Sequence, residues 1–204
     1  MILQSRKWRL LIRVVVLALA SALMLAFAAP ASYALQDDSP KQITRAAQLY
    51  DKEKPVEDAY VYTWALPDLG RVVTTHTINA TYHWIPLPGY DNLLFVRVEG
   101  DTFLRAYFRS MDVNLATEVR EANFYGKVTS LKSQAGTEEV IKALAASGIN
   151  VDKDRAMVLL QGEEPSTYRP MVPVVGVLAL FWILALVGLV QILSGRRARR
   201  RRRT

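Results

Sequence analysis

Apolar positions gather into two unbroken runs near the ends of the chain, with an alternating, mixed pattern between them. The second run is residues 171–193, MVPVVGVLALFWILALVGLVQIL, 23 residues without a charge. As a helix at ~1.5 Å per residue it reaches ~34 Å, enough to span a ~30 Å hydrocarbon core with some tilt. Pro173 falls in the first turn, where its missing N–H costs little. The first run, residues 14–29, has 16 uncharged residues behind Arg6, Lys7, Arg9 and Arg13. Pro30 follows, and Ser32 and Ala34 occupy the −3 and −1 positions of a cut before Leu35. That layout is a secretory signal peptide, and Pro30 with the small residues favours cleavage. The competing reading is an uncleaved anchor helix counted from Leu10 across Arg13.

The pattern between the runs predicts a small α+β domain. Ser39, Pro40, Lys41 and Gln42 resemble a helix start, with Ile43, Ala46, Ala47 and Tyr50 on one face and a stop before Pro55. Residues 60–66 read as a strand, followed by a turn at Pro67, Asp68, Leu69 and Gly70. Residues 71–85 read as one long strand. Val72, Thr74, His76, Ile78, Ala80, Tyr82 and Trp84 take one face of it, and Val73, Thr75, Thr77, Asn79, Thr81 and His83 the other. Fifteen residues is long for a strand, which places a bend or bulge near Asn79. Residues 93–99 and 102–110 alternate as a hairpin around Gly100 and Asp101. Residues 123–131 form a strand with a kink at Gly126. Residues 137–147 form a helix capped by Thr137 and ended by Gly148, with Ile141, Leu144 and Ala145 as its apolar face. Residues 157–161 are a last short strand. The long early strand and the late helix suit a small curled β-sheet or an OB-like, partly open barrel with two short helices.

Charge turns this pattern into a topology. The 204 residues carry a formal charge of +7 with no cysteine, so disulfide frameworks and thiol catalysis are excluded. The charge is not uniform. Four basic residues precede the first run, and seven arginines follow the second: Arg196, Arg197, Arg199, Arg200, Arg201, Arg202 and Arg203. All 19 acidic residues lie between Asp37 and Glu164, and residues 35–169 sum to −4. The positive-inside rule then puts both ends in the cytoplasm and the middle outside. The chain divides into a signal peptide or N-terminal membrane anchor (1–34), an exported α+β domain (35–169), a transmembrane helix (170–194) and an Arg-rich cytoplasmic tail (195–204). The Ala-rich leader and the Cys-free exported domain point to a bacterial cell membrane.

Candidate chemistry is sparse. The two histidines, His76 and His83, are seven apart and would face opposite ways on one strand, which disfavours a metal pair. Asp112, Glu118 and Glu121 lie close together in sequence but read as a solvated helix face. Phosphate loops, dinucleotide fingerprints and nucleophile elbows are absent, so no catalytic, cofactor or metal residue is assigned. Trp84, Pro86, Leu87, Pro88 and Tyr90 form an apolar, Pro-rich segment, read either as a recognition surface or as a cover over the core. The terminal arginines read as lipid-contacting, topology-setting residues facing anionic headgroups; nucleic acid is the weaker reading. Ala185, Gly188 and Gln191 recur at three-residue spacing and could pack against another helix.

The function expected is therefore non-enzymatic: a membrane-anchored envelope protein whose exported domain is an interaction module, with an accessory, assembly or scaffold role beside a membrane-protein partner. An extracytoplasmic ligand-binding or sensor domain signalling through a partner is the alternative. A hydrolase is a third reading; it requires one histidine beside a nucleophile or carboxylate in a cleft.

Overall fold

A computed structural model describes residues 6–51, 54–110 and 121–201. The chain separates into two compact units, Gln36–Pro165 and the pair Met1–Leu35 with Ser166–Thr204.

The second of these units is a pair of long helices. Helix α1 spans Arg6–Ala34 and α5 spans Met171–Arg201. Two stretches are long and apolar enough to cross a membrane: Leu10–Ala34 within α1, and Pro165–Ile192, which begins ahead of α5 and ends inside it. The helices pack antiparallel, because low positions of α1 meet high positions of α5. The guanidinium of Arg13 lies in the notch left by Gly188. Trp182 Nε1 donates to Ser21 Oγ at 3.0 Å, and the Tyr33 and Tyr168 rings meet edge-on at 5.4 Å. Small residues line the seam, with Ala20, Ala31, Ala34 and Ala185 buried. This is how helices approach where water gives no hydrophobic drive between them. Helix α5 does not stop at the last apolar residue but continues through the first arginines to Arg201.

The domain is α+β, built on a mixed seven-stranded sheet. In chain order the strands are β1 (Lys41–Gln42), β4 (Ala59–Ala65), β5 (Val73–His76), β6 (Thr81–Pro86), β7 (Leu94–Glu99), β8 (Ala122–Ser130) and β9 (Met157–Gln161). Their spatial order is β1-β4-β8-β9-β7-β6-β5. The end strands β1 and β5 do not pair, so the sheet is not closed. A separate two-stranded ribbon joins β2 (Tyr50–Asp51) to β3 (Lys54–Pro55). Helix α2 is Thr102–Ser110, α3 is Thr137–Ala146, and a short α4, Pro165–Tyr168, follows β9.

Four local expectations are corrected. The segment after Ser39 is not a helix: Lys41 and Gln42 pair in parallel with Val61 and Tyr62, and only a 3-10 turn forms at Ala46–Leu49. Ile43 and Leu49 are buried in the main core, six residues apart, which a continuous helix face would not bring together. The long strand 71–85 is two strands. Thr77 Oγ1 accepts from Ala80 N at 3.1 Å, and Thr77 N donates to Ala80 O at 2.8 Å, so the chain reverses where a bulge was expected. Ile78, apolar by type, stands fully exposed at the tip. The segment 102–110 is helix α2, not a strand. Gly100 takes a positive φ of 66° and ends β7, Arg105 N bonds Asp101 O at 2.8 Å, and Phe103, Leu104 and Tyr107 then meet the core at helical spacing. Finally, α3 is capped by Gly136, not Thr137, whose hydroxyl instead donates to Leu131 O at 2.7 Å. Val140 and Leu144 are the residues α3 buries, and Ala145 is exposed.

Two cores sandwich the sheet. One face carries Val61, Ile85, Leu94, Val96, Phe124 and Leu159 beneath α2 and the 43–50 segment. The opposite face carries Val73, Trp84, Phe95, Val158 and Leu160 beneath Leu131, Val140, Leu144 and Ile149. Gly126, where the kink was expected, is required by close approach: a Cβ there would lie 1.9 Å from Leu160 O.

Candidate functional site

The α3 side of the sheet is covered over only part of its width. Antiparallel and parallel register define one row of side chains on that side: Tyr60, Lys127, Leu160, Arg97, Trp84 and Val73. From Leu160 to Val73 the row lies under or beside α3. At β4 and β8 it does not. Tyr60, Tyr62 and Trp64 point out from β4, and Tyr125 points out from β8 directly opposite Tyr62. Trp64 is 55% exposed and Tyr125 38%, while Trp84 on the covered half is 1% exposed.

The aromatic strip is held in place by its backbone neighbours. Tyr60 N donates to Gln36 Oε1 at 3.2 Å, while Gln36 Nε2 reaches Asp58 O at 2.5 Å. Tyr125 N donates to Gln161 Oε1 at 3.1 Å, and Gly162 N returns to Tyr125 O at 2.9 Å. Trp64 Nε1 donates to Tyr62 Oη at 3.1 Å, so the two rings are tied at their polar tips. Partial burial pushes the Tyr60 phenol above its usual range, and the charges of Glu164 and Asp38 add to the effect. The flanking cations face acids: Lys127 Nζ lies 2.8 Å from Asp58 and Arg97 3.5 Å from Glu163. Exposed Tyr and Trp rings with polar tips are the residue types that anchor protein contacts.

The segment expected to be a recognition surface is mostly interior. Trp84, Pro86, Leu87 and Tyr90 are buried, and only Pro88 is exposed. Trp84 Nε1 donates to Thr75 Oγ1 at 2.9 Å under the second core. Leu87 and Tyr90 close the first core, where Tyr90 Oη donates to Ile43 O at 2.8 Å and bonds the Thr63 hydroxyl. The loop is thus the cover over the core, because its apolar content is spent on packing. Of the helix-packing trio, Ala185 and Gly188 turn toward α1, whereas Gln191 is exposed. Arg196, Arg197, Arg199, Arg200 and Arg201 belong to α5. Arg202 and Arg203 lie outside the described residues, as do Asp112 and Glu118.

The histidines do not oppose one another. The hairpin places Thr74 opposite His83 and His76 opposite Thr81, so both rings share one face. His76 Nδ1 and Thr81 Oγ1 are 3.0 Å apart. His83 lies between two partners, with Nδ1 2.9 Å from Thr74 Oγ1 and Nε2 3.0 Å from Asp101 Oδ1. With the carboxylate accepting from Nε2–H, neutral His83 accepts the Thr74 hydroxyl at Nδ1. Asp101 also meets Arg105 at 3.2 Å. The His83 hydrogen bond, then Arg105, holds the Asp101 carboxyl below its usual range. The histidine contacts of this cluster cross between elements, clasping β5, β6 and the start of α2. Among the described residues no group of three His, Asp or Glu side chains is placed to hold a metal ion.

A cavity of about 460 Å³ opens elsewhere, along the start of α3, and its lining includes Lys132, Glu138, Glu139 and Lys142. No family model, curated protein or solved structure matches this chain.

Proposed function

We propose that the protein is a two-pass, membrane-anchored envelope protein whose exported domain is a non-catalytic interaction module, serving an accessory, assembly or scaffold role in a membrane complex. The observation that carries this is the half of the sheet beyond α3, where Trp64 and Tyr125 are exposed and Tyr60 and Tyr62 half-buried on a face that α3 buries elsewhere. A contiguous exposed apolar patch rimmed by charge is the usual mark of a contact surface.

The anchoring half of the proposal rests on α1. Ser32 and Ala34, the residues suited to a signal-peptide cut, lie within the helix, and Tyr33 and Ala34 are buried in that unit. A processing protease needs that stretch accessible and extended. Retention of α1 as a partner for α5 therefore fits better than cleavage. With Arg6, Lys7, Arg9 and Arg13 at the N-terminal end of α1 and seven arginines after the second apolar run, both ends belong in the cytoplasm, the arginines beside anionic headgroups, and the acidic domain outside.

The test is photocrosslinking in intact membranes with benzoylphenylalanine placed at position 64 of the full chain. A discrete crosslinked product containing a second membrane protein is expected. Products containing the chain alone, or none, would overturn the module reading. Intact mass of the purified protein checks the anchor: 22.9 kDa is the full-length value, and a product beginning at Leu35 refutes it.

A further inference from the structure

We infer that the partly exposed aromatic face of β4 and β8 docks a basic, extended segment of a partner protein. This rests on the reading of that face as the contact surface and adds the chemistry of what it contacts.

Three observations converge. The first is shape. Tyr60, Tyr62 and Trp64 project from alternate positions of one strand, roughly 7 Å apart, with Tyr125 alongside. An extended peptide repeats its own side chains at the same interval, so every second residue meets a ring. The second is ring chemistry. The faces of Tyr and Trp carry negative charge density and attract guanidinium and ammonium groups, while phenol tips hydrogen-bond to a peptide backbone. The fold already uses this contact on the same side of the sheet, where the Arg97 guanidinium sits 4.8 Å from the centre of the Tyr82 ring. The third is field. Residues 35–169 sum to −4. Asp38 and Glu164 both act on the Tyr60 phenol, and the neighbouring cations Lys127 and Arg97 are engaged with Asp58 and Glu163. A cation approaching Tyr60 meets the field of Asp38 and Glu164. The same carboxylates repel an anionic lipid surface, which is why a basic protein segment is the occupant favoured here.

The experiment uses the full chain in nanodiscs of zwitterionic phosphatidylcholine. The probe is a fluorescein-labelled peptide of four alternating Arg-Ser pairs, with four Gln-Ser pairs as the neutral control, read by anisotropy. The basic peptide is expected to bind, the neutral one not, and added salt to weaken binding. Tyr62→Ala with Trp64→Ala should weaken it about tenfold or more. Trp64→Phe, which keeps a ring face, should retain most of it. Asp38→Asn with Glu164→Gln should weaken it without touching a ring, and near-ultraviolet circular dichroism confirms folding of every variant. Equal binding of the neutral peptide, or basic-peptide binding indifferent to the ring variants, overturns the inference. Quenching of Trp64 by brominated phosphatidylcholine in the absence of peptide also overturns it, by assigning the face to lipid. If position 64 crosslinks to a protein but the basic peptide does not bind, the module reading stands and this inference alone falls.

Discussion

The two halves of one sheet face are built from the same kind of sequence and meet different fates. On β6, Tyr82 and Trp84 alternate with His83; on β4, Tyr60, Tyr62 and Trp64 alternate with Val61 and Thr63. Both rows point to the α3 side. Over β6, β7 and β9, helix α3 and Leu131 close a core around Trp84 and Phe95. Over β4 and β8 they do not reach; Trp64 and Tyr125 stay exposed, and Tyr60 and Tyr62 half-buried. Strand chemistry makes an aromatic face; the placement of the covering helix decides how much of that face becomes core.

The sharpest way to separate the halves is to remove one tryptophan from each. Trp84→Ala should cost about 3–5 kcal/mol, the range for deleting a large aromatic from a packed interior. It also strands the Thr75 hydroxyl that the indole N–H meets at 2.9 Å. Denaturant unfolding of the full chain in micelles measures this. A loss below about 1 kcal/mol would mean that the α3 side is loosely packed, and the contrast between the halves would lose its basis.

A smaller effect should appear on the opposite side of β6. His83 clasps Asp101, and that contact together with Arg105 lowers the pKa of the carboxyl. A carboxylate with a lowered folded-state pKa adds stability above its unfolded value and loses it as pH falls through the lowered one. The loss belongs below about pH 4, where the unfolded carboxyl protonates. Asp101→Asn should lower the denaturant midpoint modestly at neutral pH and flatten its fall in acid. An unchanged acid profile would show that Asp101 contributes nothing through its charge. Trp84 and the α3 core should be indifferent to this titration, which keeps the two perturbations separable.

How far these features were legible follows from the range of the forces involved. Strands β4, β7, β8 and β9 could be read to within a residue or two, since period-two alternation and β-branched residues act locally. The two long apolar helices were equally plain, because length and lack of charge suffice. The segment TFLRAYFRS was misread because its aromatics favour strands, while Phe103, Leu104 and Tyr107 equally fit a helix face; β7 already has β6 and β9 as neighbours, and no strand could join it. Residues 71–85 alternate without a Gly or Pro, so a turn made by the Thr77 hydroxyl carried no punctuation to detect. The burial of the Trp84–Tyr90 segment was hidden for a related reason. An apolar, Pro-rich loop and an exposed aromatic strand look alike in composition, and the loop was buried against Ile43, 47 residues from Tyr90. The alternation of Tyr60, Tyr62 and Trp64 was visible, but its exposure depended on how far α3 extends.

The smallest expected effect is the most telling. Trp64→Ala should change stability by no more than about 0.5 kcal/mol, as for surface substitutions away from caps and cores. More than half of the side chain is exposed, and the bond it loses, to Tyr62 Oη, is itself at the surface where water replaces it. Thr63 and Ala65, on either side, carry the burial of that stretch of β4 and are untouched. An indole at the surface without a stabilising role leaves its ring available for the contact proposed above. If instead Trp64→Ala destabilised the fold as much as Trp84→Ala, the ring would be structural, the halves would be energetically alike, and the argument for a contact face on β4 and β8 would collapse.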